Sequence, residues 1–154
     1  MQKPFTPDQL RPPTGEELVL IARAEGFQIY LCRADNASVY SWVFKAPEAD
    51  LYDAQGNLMG KHFAGPTWRH NDGSEITGKV AAKADAPGAS AIPWLLLTVS
   101  GHAGQGVLSR VTTIQRINTF GGLAPASGCG EANRDAEFRS SYTADYYFYA
   151  RPRS

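Results

Sequence analysis

From Phe27 to Tyr149 the chain keeps returning to a two-residue alternation, and this limits its fold more than any other feature. Phe27, Ile29 and Leu31 alternate with Gln28, Tyr30 and Cys32, and Tyr40, Trp42 and Phe44 with Ser41, Val43 and Lys45. The pattern recurs around Ile76–Ala82, after Pro93, through Val107–Ile117, and in Tyr142–Tyr149. Successive side chains of a strand point to opposite faces, so this period marks strands covered on one face. Turn chemistry separates the runs: Asp53-Ala54-Gln55-Gly56-Asn57, Asn71-Asp72-Gly73-Ser74, Gly101–Gly106 and the longer stretch Gly121–Gly130. The expected fold is all-β, an antiparallel sandwich or flattened barrel of about eight to ten strands with long loops.

Residues 1–15 contain four prolines and read as an irregular arm before a single β-rich domain over 16–154. Thr14-Gly15-Glu16-Glu17 matches a capping box, which would start a helix. The following Leu18-Val19-Leu20-Ile21 leads into Gly26-Phe27-Gln28-Ile29, which favours a strand.

Fifteen basic residues balance fifteen acidic ones, and no basic stripe points to nucleic acid. No apolar run approaches the ~20 residues of a membrane-spanning helix. The N-terminal residues have no apolar segment of the kind found in a signal peptide. Cys32 and Cys129 match no zinc or redox spacing. An even cysteine count in a β-rich chain suits one disulfide in an oxidising compartment; two buried thiols are the alternative.

Five segments carry a resemblance: GFQIYLC, WVFKAPEADLYDAQGNLMGKHFAGPTW, DGSEITGKVAAKADAPGASAIPWLLL, RVTTIQRINTFGGLAPASGC and YTADYYFY. In this order they resemble a family of secreted or periplasmic proteins of bacteria and fungi, classed as a domain of unknown function. The likeness covers about residues 16–150. It implies export and supports a Cys32–Cys129 disulfide, but it brings no established activity. Some members are labelled dehydrogenases. This chain has neither a Gly-x-Gly-x-x-Gly turn after a strand nor βαβ alternation to support that label.

The stretch Gly60–Ser74 gathers the most chemistry-bearing side chains. Trp68 either stacks on a sugar ring or apolar ligand, with His62, Arg69 and Asp72 fixing its orientation, or packs over the end of the fold as a lid. His62 and His70 are candidate copper or zinc ligands, the one cofactor the sequence suggests. The competing reading makes His62 a hydrogen-bonded turn residue and leaves His70 and His102 solvated. Trp42 and Trp94 read as core, and Tyr147 and Tyr149 as outward residues lining a groove or covering the sheet. Asp145 lies inside an aromatic strand and needs a partner if buried, so an Arg116–Asp145 ion pair is expected. No Gly-x-Ser-x-Gly elbow is present.

Three functions follow from these readings. One is a secreted or periplasmic module binding a carbohydrate or small amphipathic ligand. Another is a metal-dependent enzyme centred on His62, and the third a structural or interaction protein of the cell envelope. The sequence leaves ligand and oligomeric state open.

Overall fold

Eight strands pair in sequence order, and the last pairs back onto the first. The computed structural model describes residues 1–88 and 90–153. The strands are β1 (Glu17–Ala34), β2 (Tyr40–Tyr52), β3 (Leu58–Phe63), β4 (Thr67–His70), β5 (Glu75–Ala84), β6 (Trp94–Ala103), β7 (Val111–Gly121) and β8 (Glu137–Ala150). All neighbours are antiparallel. Of the two expected architectures the chain adopts the barrel, whose closure removes the sheet edges a sandwich keeps. Among the described residues no helix is long and apolar enough to cross a membrane.

The alternation becomes inside and outside. On β8, Tyr142, Ala144, Tyr146 and Phe148 join the interior core with Ala22, Ala24, Trp68, Ile76, Leu97 and Ile114. Each large apolar side chain moved from water into this interior contributes roughly 1.5–3 kcal/mol. Gly78 keeps room for the Trp68 indole, because a β-carbon there would lie 3.2 Å from its Cζ3.

The Thr14–Glu17 box starts no helix. Gly15 has φ +92° and Glu16 N–H closes a turn onto Pro13 O, after which β1 runs as one strand of 18 residues. The arm before it is irregular apart from a short 3-10 turn at Asp8–Leu10, but it is not free of the barrel. Leu10 is buried and its carbonyl accepts a 2.7 Å bond from Gln115 Nε2, while Tyr149 Oη donates to Gln115 Oε1. Gln115 and Tyr149 sit on the outward parity of β7 and β8, so the arm covers the outside of the wall. The outward parity read for Tyr149 therefore holds, and the arm buries it completely.

One end of the barrel is closed by residues 121–136. Cys129 is bonded to Cys32. Tyr30 Oη donates to Gly122 O, Trp42 Nε1 to Ser127 O (3.0 Å), and Ser140 Oγ to Leu123 O (2.7 Å). Gly122 sits at φ +84°, a backbone conformation other residues rarely adopt, and a β-carbon there would crowd Ile92, Tyr142 and Gln28 at 3.1–3.2 Å. Trp42 is therefore not a core residue as expected. It is half-exposed and pins this loop.

Strand lengths leave a gap in the wall. The β3–β4 hairpin stops at the pairs Ala49↔His62 and Thr67↔Thr77. Beyond these pairs β2 continues to Tyr40 and β5 to Ala84 with no strand between them. The hairpin turn, with Gly65 and Pro66, forms the sill of this notch.

Candidate functional site

The notch opens into a cavity of about 260 Å³. Its rim is mainly apolar, with Phe44 from β2, Pro66 from the hairpin turn, Val80 from β5 and Leu95 from β6, and Lys45 beside Phe44. Phe44 and Val80 are 51% and 56% exposed. Its floor is polar and aromatic, made of Gln28, His62, Trp68, Arg116 and Tyr146. Five strands contribute these floor residues, each from its inward parity.

His62 and Trp68 are cross-strand partners, and their rings stack at 4.5 Å with an interplanar angle of 19°. Tyr146 meets both, edge-on to Trp68 at 5.6 Å and tilted to His62 at 5.1 Å. His62 Nδ1 lies 2.9 Å from Thr67 O. A carbonyl only accepts, so Nδ1 carries the proton. Burial pulls the imidazole down to about 3, against the Thr67 bond and with help from Arg116, so the ring is neutral. Nε2 then accepts, and Tyr146 Oη at 3.2 Å is its donor. Tyr142 Oη, 3.2 Å from Tyr146 Oη, completes the chain as donor to Tyr146. Burial pushes both phenols up, so neither supplies a phenolate base at neutral pH.

This arrangement closes the metal reading of His62. Both ring nitrogens are engaged, one by a backbone carbonyl and one by a phenol. His70 is the last residue of β4, registered with Gly60, and its Nδ1 accepts from Asp72 N–H in the following turn at 3.0 Å. Among the described residues no group of three or more His, Cys, Asp or Glu could hold a metal ion. His102 is bound elsewhere, donating from Nε2 to Val111 O at 2.7 Å.

The four expected ligand residues divide. His62 and Trp68 meet in the cavity floor, whereas Arg69 and Asp72 are elsewhere. Arg69 is on the outward parity of β4, donating from Nε to Glu75 at 2.7 Å and lying over the Phe63 ring at 4.8 Å. Asp72 organises the β4–β5 turn. Burial raises its carboxyl, but hydrogen bonds from Ser74 and Val107 overcome that and hold it down to about 2. Trp68 is 1% exposed, so it is neither a loop platform nor a lid; it is interior wall that the cavity reaches.

The expected Arg116–Asp145 pair does not form. Arg116 is registered with Tyr146 and faces inward, while Asp145 pairs with Ile117 and faces outward. Arg116 donates from Nε (3.1 Å) and Nη2 (2.8 Å) to Pro93 O; Asp145 accepts from Asn118 Nδ2 at 2.9 Å. Gln28, Phe44, Leu95 and Tyr146 were not expected as cavity residues. Inward parity was the only signal for them, and it becomes a location only when the register of all eight strands is known.

Two floor atoms are buried without a hydrogen-bond partner among the described residues: Gln28 Nε2 and Trp68 Nε1. Both are donors. The others among the described residues, on Glu16, Trp94 and Arg110, lie outside this cavity lining, so two in one wall mark it.

These features define an up-and-down antiparallel β-barrel with one end closed by a disulfide-tethered loop and a cavity entered through the wall. Within that class, the chain belongs to the family described as "Protein of unknown function (DUF3455)", which matches residues 13–150. The match runs from the end of the arm to the last residue of β8. No match was found among the curated proteins or the solved structures.

Proposed function

We propose that this protein binds one small amphipathic ligand in the wall cavity, with the apolar part against Phe44, Val80 and Leu95 and the polar part towards the floor. The supporting observation is the cavity itself: an apolar mouth over a floor with two unpartnered buried donors. Ligand pockets are mostly apolar with a few convergent polar groups, and eight-stranded barrels are of a size to hold one such molecule. Of the two ligand classes the sequence suggested, this favours the small amphiphile. A sugar platform needs an exposed aromatic face, and Trp68 offers none.

The Cys32–Cys129 disulfide supports a secreted or periplasmic protein, since such bonds persist in oxidising compartments. Proton-transfer catalysis by the floor is disfavoured by a neutral imidazole and two raised phenols.

Titration with octanol and octanoate, followed by tryptophan fluorescence, tests this reading. At least one should bind saturably to the wild type and at least about tenfold more weakly to Val80→Trp, which fills the mouth. Cello-oligosaccharides should not bind. Saturable binding by neither octyl compound, or unchanged binding by Val80→Trp, contradicts it.

A further inference from the structure

We infer that the ligand's polar end is a carboxylate, received by Arg116 together with Gln28; this rests on the small-ligand reading above. Arg116 is half-buried in the floor, and its fixed charge has no carboxylate partner among the described residues. A partly desolvated guanidinium normally has an anion to offset its cost. Here the floor supplies a neutral histidine and a tyrosine in place of an acid, and no carboxylate lines the cavity among the described residues.

The guanidinium is nevertheless held in position. Nε and Nη2 both grip Pro93 O and the Tyr146 phenol lies beside the guanidinium, which together orient the fork and still leave N–H donors over. An arginine has five N–H donors and no acceptor, so what it lacks is an acceptor. Gln28 adds a second donor: it is 3% exposed and lines the same cavity, and its Nε2, beside the Tyr142 phenol, makes no hydrogen bond of full geometry. Among the described residues the one other cation lining the cavity, Lys45, is paired with Glu137 at 3.1 Å. Two donor side chains lining one cavity, with a positive charge and no negative one, match a planar anionic acceptor. The apolar rim requires the remainder of the molecule to be hydrocarbon. A small amphipathic monocarboxylate meets both conditions.

Octanoate, octanol and octylammonium share one hydrocarbon body and differ at the end group, so their relative affinities test the inference. Octanoate should bind at least about tenfold more tightly than octanol, with octylammonium weakest, because only the carboxylate gains charge-assisted hydrogen bonds from the guanidinium. In Arg116→Met the octanoate preference over octanol should collapse. In the wild type, octanoate should shift the Arg116 guanidinium N–H signals in NMR and octanol should not; this readout survives if Arg116→Met fails to fold. Equal or tighter binding of octanol overturns the carboxylate assignment and leaves the small-ligand reading standing. A preference that persists in Arg116→Met, or octanoate binding that leaves the Arg116 signals unmoved, also overturns it. Binding by none of the three overturns both.

Discussion

Tyr146 Oη lies 3.2 Å from His62 Nε2, and the backbone carbonyl on the other side of the imidazole makes the tyrosine the donor. The relationship ties β3 to β8 across the barrel and joins the two buried titratable groups of the floor. Tyr146→Phe deletes the donor while keeping the ring. It should cost about 1–3 kcal/mol in chemical denaturation, because a buried acceptor on His62 and the Tyr142 hydroxyl both lose their partner. A cost near zero would mean that the chain of hydroxyls carries no stability.

The same histidine gives a pH dependence with a definite sign. Its pKa falls from 6.5 in the ordinary state to about 3 in the fold. The unfolded chain therefore binds a proton that the native state refuses. The stabilisation is complete above the ordinary value and is lost as pH falls towards about 3. Within that window His62 should contribute a slope of up to about 1.4 kcal/mol per pH unit. His62→Gln, which does not titrate, should flatten the stability curve by about one proton there. Denaturant midpoints measured across the window check this, and parallel curves for wild type and variant would contradict it.

Asp72 acts lower on the scale and at the other end of the barrel. Its carboxyl is held down to about 2 by Ser74 and Val107. Its contribution is present above the ordinary value of 3.8 and disappears as pH falls through about 2. Asp72→Asn should lower stability at neutral pH and remove that part of the acid sensitivity. Acid unfolding curves of the two proteins should converge at the lowest pH.

The Cys32–Cys129 bond spans 97 residues, so reduction removes one long-range constraint from the unfolded chain. Chain-entropy reasoning values it at ~4–5 kcal/mol. Its loss should also loosen the closing loop. Amide exchange should accelerate at 121–130 before it does so in β1 or β8, since those strands are held by the ladder and the loop by a few side-chain ties. Uniform acceleration would mean that the bond stabilises the barrel without fastening its end.

Much of this fold is legible in the sequence because period two is a local signal. Tyr146 and Phe148 share a parity, and both lie in the core. The barrel's closure is not local: it depends on β1 pairing with β8, far apart in sequence. Arg116 shows the difference. Its inward direction follows from parity, but its neighbour depends on register, and a one-residue offset puts Tyr146 beside it in place of Asp145. Trp68 shows another limit. Gly65 and Pro66 do mark a turn, yet the chain re-enters the wall at Thr67, so the tryptophan is interior. The notch could not be read at all, because it arises from the β3–β4 hairpin being shorter than its neighbours β2 and β5.

Methyl NMR of the wild-type protein during octanoate titration tests the central claim most directly. Saturable shifts should be concentrated at the cavity-lining Val80 and Leu95, with Val39 and Leu123 unmoved although both are exposed apolar residues. Shifts spread over all the exposed apolar residues, or no saturable shift at Val80 and Leu95, would contradict a binding site in the wall of this barrel.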